Sequence, residues 1–328
     1  MTIEIMAKEL GVSISTVSRA LSGKGRIGEQ TRKRVIEYAK EHELTEKLEK
    51  HQAPKTGNLG VVLPSDVYVS SEPYFQECML GICETAALMN YDVLITTMKN
   101  SDISGIQNLV EKNKVDGIIL TRNEEKDNAI SYLTRQNFPV ALTGACNNAN
   151  VIQVDIDNEG ATEALTSHLI SVGYRKFALL VADMSFSVDT NRYNGFCKAL
   201  VKHGIDRDKQ VVYTSAGGMD TMMDSIIGTL MAQKVECVIC GDDVICTKIV
   251  SKLQSERYRI PKDIGVASLY NSINLNCFTP PITTVSVSAS QIGNMICAQM
   301  IRYLNGMSYQ DQTVVDYEIL VRKSTSIL

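Results

Sequence analysis

Residues 13 to 19 read Ser-Ile-Ser-Thr-Val-Ser-Arg, so four hydroxyls precede a guanidinium within a single helical stretch. Hydroxyls and cations at a helix start can hold phosphate oxygens, and an arginine fork can bind a guanine edge through two hydrogen bonds. A second set is dispersed. Arg192 carries a planar fork that matches hydroxyl or carboxylate geometry. Asp242 follows the apolar run Val235 to Cys240 and can accept hydroxyl hydrogen bonds, while Tyr74 and Phe75 open a helical stretch and can form a stacking wall. Each has a plainer reading. Arg19 would serve in a surface salt bridge, Arg192 in a salt bridge between sheets, Asp242 as a helix N-cap, and Tyr74-Phe75 as core.

Catalytic and metal chemistry find less support. Cys237 and Cys240 have CxxC spacing, but they sit inside an apolar strand-like run with no second pair, so a core strand is the expected context. Cys146 follows a strand, and His168 and His203 are imaginable partners, yet nothing in their spacing requires proximity. No glycine-rich phosphate loop, zinc spacing or nucleophile elbow is present. The expectation is no catalytic residue, no metal ligand and no cofactor.

The 328 residues suffice for two or three domains, and 44% hydrophobic with 21% charged residues is an ordinary globular composition. No apolar run approaches the roughly 20 residues that span a bilayer, and the start lacks a basic segment leading into an apolar core. Nine scattered cysteines fit reduced thiols, which together with the chain's start predicts a cytoplasmic protein without disulfides. The net charge of -4 conceals an asymmetry: residues 1–58 carry +3 and the remainder -7. Seven basic residues against two acidic ones between Lys8 and Arg34 give the footprint that attracts a phosphate backbone.

These residues need elements to position them. Ile3, Met6, Ala7 and Leu10 recur at helical spacing, Gly11 supplies the open turn, and Ser13 is a natural N-cap for a second helix with Val17, Ala20 and Leu21 inward. A third helix from about Glu29 to His42 closes the core with Val35, Ile36 and Ala39. The module is a helix-turn-helix whose second helix enters a major groove, with Lys24, Arg26 or Arg32 on phosphates. Residues 46–58 form a charged linker broken by Pro54 and Gly57. Beyond it, strand-like runs at 59–63, 91–96, 115–120, 138–142, 176–181, 210–213, 237–240 and 263–269 alternate with helical patterns, predicting two parallel α/β halves around a cleft. Ligands then sit outside the carboxyl ends of strands, at the loops after Leu63, Leu120, Leu142, Val181, Cys240 and Leu269.

The string from Ala7 to Leu21, continued by Thr31-Arg32-Lys33-Arg34-Val35, resembles the start of LacI/GalR-type regulators. Val154 to Ala161, Arg192 to Phe196 and Pro280 to Val285 extend the resemblance over nearly the whole chain. It implies an α/β protein with a three-helix head (1–45), a hinge (46–58) and a periplasmic-binding-protein-like sensor of two α/β subdomains (59–328). The chain would cross between the subdomains near 155–160, 284–288 and 310–316. By position it implies base contacts from Ile14, Ser15 and Arg19 and phosphate contacts from Thr2, Thr16, Ser18 and Thr31. The function implied is a transcriptional repressor, dimeric on a near-palindromic operator and controlled by a small polar effector, with Arg192 foremost in gripping it. The rival readings are an α/β enzyme and a transport-type binding protein.

Two departures from the family pattern stand out. The hinge is about two residues shorter and offers Ala53-Pro54 where relatives place a wedging leucine, with Leu48 the other candidate. Relatives commonly end a core strand in Phe-Asp-Asp, where this chain has Leu269-Tyr270-Asn271, and Glu72-Pro73 replaces an asparagine before the aromatic pair. Tyr270 and Asn271 thus stand in the effector set in place of a carboxylate, which points away from a standard hexose and towards another small polar effector.

Overall fold

Helical periodicity, a glycine turn and a serine cap build the amino-terminal unit in the computed structural model, which describes residues 3–14, 16–17, 20, 28–41, 55–65, 73–99, 101–124 and 126–326. The chain divides into two units, Met1–Thr56 and Gly57–Leu328. In the first, α1 (Ile3–Leu10) and α2 (Glu29–Glu41) flank a helical stretch that includes Ile14, Thr16, Val17 and Ala20. Met6, Ala7, Val17, Ala20, Val35 and Ala39 form its buried core. Ile36, expected in that core, is only half-buried; the Tyr38 ring packs there from the same helix. Gly11 takes φ +65°, the left-handed region that lets α1 stop and the chain reverse.

The second unit contains two six-stranded sheets. Strands β1 (Asn58–Pro64), β2 (Asp92–Met98), β3 (Gly117–Leu120), β4 (Val140–Thr143), β5 (Ile152–Ile156) and β11 (Gln312–Val315) form the first, in the order β11-β5-β4-β3-β1-β2, all parallel. β6 (Phe177–Leu180), β7 (Val211–Tyr213), β8 (Cys237–Cys240), β9 (Gly265–Ser268), β10 (Thr283–Ser286) and β12 (Glu318–Leu320) form the second, in the order β12-β10-β9-β8-β6-β7. Only the β10–β12 pair in it is antiparallel. These are the two parallel α/β halves that the alternating runs predict, since β3, β4, β6, β8 and β9 are buried along their whole length. Cys237 and Cys240 lie fully buried in β8, where burial pushes the Cys237 thiol up.

Helices cover the sheets, and two helix pairs fix the layers. In the first lobe α3 (Pro73–Leu88) lies against α11 (Ala289–Leu304); in the second α6 (Asn158–Ser171) lies against α7 (Ser187–Lys202). Both contacts are closed by glycine. A Cβ at Gly293 would collide with the Cys78 carbonyl oxygen, and one at Gly195 with the Glu159 carbonyl oxygen. The remaining helices used below are α4 (Ser104–Glu111), α5 (Asn128–Arg135), α8 (Met223–Ala232), α9 (Asp243–Ser255) and α10 (Ile273–Cys277). The chain passes between lobes after β5, between β10 and α11, and between β11 and β12.

Candidate functional site

In the first unit the cap chemistry is explicit. The Ser13 Oγ accepts from the Thr16 backbone N–H at 3.1 Å and lies 2.8 Å from the Thr16 hydroxyl, which satisfies an amide that the helix itself leaves open. Ile14, next in sequence, keeps 54% of its surface exposed although it is apolar and Val17 and Ala20 beside it are buried. Thr31 is half-buried at the start of α2. The Tyr38 hydroxyl donates to Glu9, and that carboxylate pushes the phenol up to about 12. Thr2, Ser15, Ser18, Arg19 and Arg26, and Leu48 and Ala53-Pro54 of the linker, lie outside the described residues.

The second unit carries a cavity at the carboxyl ends of strands from both sheets. It leaves about 120 Å³ open to the centres of water molecules. A single water needs at least roughly 10–15 Å³ of such space, so the cavity has room for several waters or one small polar metabolite. Tyr74, Phe75, Arg192, Asp242 and Tyr270 line it. The loops after Leu120, Leu142, Val181, Cys240 and Leu269 all reach it, as parallel-sheet geometry requires. Tyr74 and Tyr270 meet edge to face with ring centroids 5.8 Å apart, and Tyr74 meets Phe75 in the same way at 5.2 Å. The three rings make a rigid apolar wall.

Arg192 is the cationic pole. Its Nη1 donates to the Asp189 carboxylate at 3.0 Å, one helical turn earlier on α7, and this carboxylate is itself fixed by the Asp183 amide at 2.9 Å. The guanidinium is therefore aimed by its own helix. Its Nε is buried with no hydrogen-bond partner among the described residues. A buried donor of this kind costs about 1–3 kcal/mol when unmet, so it favours a ligand acceptor.

Asp155, Asp242 and Asp243 add carboxylates to the lining. Burial pushes Asp155 up to about 6, and burial together with the neighbouring Asp243 charge pushes Asp242 up to about 7. Asp243 is raised as well, first by burial. Asp242 also does what its plainer reading asks, since its Oδ1 accepts from the Ile245 N–H at 2.8 Å and caps α9. Ionised, these groups accept only; protonated, they also donate.

Asn271 is placed elsewhere. It is not among the cavity-lining residues, and its Oδ1 accepts from the Thr284 hydroxyl and from Arg322 Nη1, both at 3.0 Å. Arg322 arrives from the carboxyl-terminal segment beyond β12, a partner 51 positions away that local sequence does not disclose. Ser268, fully buried, holds the other side of Tyr270 by donating to its carbonyl at 2.7 Å. The cavity also takes in Arg122, Asn123, Phe186, Asp189 and Asp243, together with Asp155 from the Val154 to Ala161 string, none of them expected in the effector set. Their signal is positional, as most follow the ends of strands.

Residues 2–45 match the family described as bacterial regulatory proteins, lacI family, and residues 56–316 match periplasmic binding proteins and sugar binding domain of LacI family. Among curated relatives, the chain is 26% identical to the HTH-type transcriptional regulator RegA of Clostridium saccharobutylicum, covering 99% of each chain. It is likewise 26% identical to the HTH-type transcriptional regulator DegA of Bacillus subtilis (strain 168), covering 100% of this chain and 98% of the relative. Among solved structures, a probable maltose operon transcriptional repressor malR from Staphylococcus aureus aligns with a TM-score of 0.76 at 22% identity. That alignment covers 83% of this chain and 99% of the other. This likeness speaks to the fold.

Proposed function

Because this chain belongs to the LacI family of bacterial regulatory proteins, we propose that it is a repressor whose grip on a near-palindromic operator is set by a small polar effector, a sugar or sugar-like metabolite. The observation that carries this reading is the pairing, in one chain, of a capped, glycine-turned helical head with a cavity between two parallel sheets that holds an arginine with an unmet buried donor. Residues 1–45 are the head, 46–58 the linker and 59–328 the sensor. Ile14, Ser15 and Arg19 read bases, while Thr2, Thr16, Ser18, Arg26 and Thr31 hold phosphates. The exposed Ile14 side chain suits a thymine methyl. In the sensor, Arg192, Asp242, Tyr74, Phe75 and Tyr270 meet the effector, while Asn271 ties the segment after β9 to Thr284 and Arg322.

The protein acts as a cytoplasmic homodimer without catalytic turnover. One head buries too little surface for tight binding at physiological salt, whereas two heads on two half-sites reach the interface size that specific DNA binders use. Control is linkage: to move the operator from mostly bound to mostly free, from 99:1 to 1:99, the effector must favour one conformation about 10⁴-fold, roughly 5.5 kcal/mol.

Arg19→Ala tests the reading. A lost bidentate guanine contact is worth about 1–3 kcal/mol of discrimination, so the variant's preference for operator over random competitor should fall roughly 5- to 150-fold with the head still folded. Competition binding by fluorescence anisotropy measures it, and an unaltered preference removes Arg19 from the base readers. In the same assay Ser13→Ala should weaken all DNA binding together, because losing the cap costs the second helix about 0.5–2 kcal/mol without touching sequence preference.

A further inference from the structure

We propose that Arg122, Asn123 and Glu124 in the first lobe and Phe186 and Ser187 in the second form a latch that holds the sensor cleft closed along one rim by protein contacts alone. Three contacts of different kinds converge there. The Arg122 guanidinium carbon lies 3.9 Å from the centroid of the Phe186 ring, a stacked cation–π geometry. The Asn123 amide donates to the Ser187 hydroxyl at 3.1 Å. Glu124 pairs with Phe186 in an isolated antiparallel bridge. The first partner in each pair follows β3, and the second stands at the start of α7, so every contact joins one sheet's lobe to the other's.

Both jaws are stiffened from behind. Asn123, buried, also donates to the Ala145 carbonyl at 3.1 Å, and Glu124 accepts from the Ser101 hydroxyl at 2.8 Å while its amide donates to Asp127. On the other side the Phe186 amide donates to the Asp183 carbonyl and its carbonyl receives the Thr190 amide at 3.2 Å. Three chain crossings join the lobes covalently, and a few residues at such crossings are enough to absorb a hinge rotation. The latch adds a non-covalent tie to those crossings, beside the edge-to-face contact of Tyr74 with Tyr270.

Arg122, Asn123, Phe186 and Ser187 also line the cavity. A molecule entering by this rim must part the contacts, so the share of unlatched protein scales the apparent affinity for anything that enters that way. The control point is then a rim contact as well as the cavity floor.

Hydrogen–deuterium exchange read by mass spectrometry on the full-length protein, with neither DNA nor effector added, tests the latch separately from its role in regulation. In the wild type, amides of residues 121–124 and 186–190 should be protected. In Phe186→Ala, and in Arg122→Gln, they should exchange at least roughly tenfold faster, with β3 and β8 unchanged. Arg122→Gln changes a half-buried rim side chain and keeps the test valid if Phe186→Ala fails to fold. Free-peptide exchange of the rim in the wild type, equal exchange in all three proteins, or acceleration spread evenly through both lobes would each overturn the proposal.

Discussion

Gly293→Ala is expected to destabilise the sensor unit by roughly 3 kcal/mol or more, although the same replacement helps an open helix. The added methyl would collide with the Cys78 carbonyl oxygen and sit 2.9 Å from its carbon and 3.0 Å from the Ile82 amide nitrogen, all backbone atoms of α3. No rotamer change relieves such a clash, so α3 and α11 must separate and open the buried cluster around Cys78, Ile82, Ile292 and Ile296. Overpacking typically costs about 1–3 kcal/mol, and a backbone obstacle puts this case at or beyond the upper end. Gly228, inside α8, is the control because nothing lies within 4 Å of its added methyl. There Ala should stabilise by about 0.5–1 kcal/mol through helix propensity and a less flexible unfolded chain. Thermal melts of both variants decide it: opposite signs are expected, and a Gly293→Ala protein as stable as wild type would mean the two helices are not in backbone contact.

The second large effect is pH-dependent. Asp242 is raised from the ordinary carboxylate range to about 7, chiefly by burial and then by the Asp243 charge. A carboxyl whose folded pKa lies above its unfolded one contributes stability that is fully present below about pH 4 and is lost as pH rises through about 7. Asp242→Asn keeps an oxygen to accept from the Ile245 amide and cannot ionise. A tenfold change in proton affinity is worth about 1.4 kcal/mol, so the variant should gain on wild type progressively from about pH 4 and level off above about pH 7 at up to about 4 kcal/mol. Chemical denaturation at a series of pH values reads the difference; a gap that stays constant with pH would show that Asp242 titrates normally. If the carboxylate meets the effector, the stabilised variant should at the same time respond to it more weakly, the usual trade between stability and a strained site.

Legibility in the sequence tracks how local the cause is. β3, β4, β6, β8 and β9 stand out as apolar runs because both their faces are buried. β5, β10, β11 and β12 do not stand out as strands. β12 has no buried residue and β11 only Val315, so neither shows a run; they are strands because β10 and β5 offer partners in register. The same limit applies to side chains. Arg192 and Asp242 are legible from motif and position, and both line the cavity, yet the ion pair that aims Arg192 and the cap made by Asp242 are geometric facts. Ile36 falls on the right helix at an apolar spacing, but Tyr38 packs against the core in its stead.

By itself the sequence determined the two-part organisation and the residue types at each part. A glycine between two periodic stretches, a serine one turn before its capped amide and apolar runs at regular intervals act over a few residues, where backbone sterics and burial leave little choice. The tertiary structure alone decided which side chains share one space. Asn271 turns to Arg322, Tyr74 meets Tyr270 almost two hundred positions away, and Arg122 reaches Phe186, because those approaches depend on how two sheets assembled from interleaved segments face each other. No local propensity encodes a distance between loops that separate strands bring together.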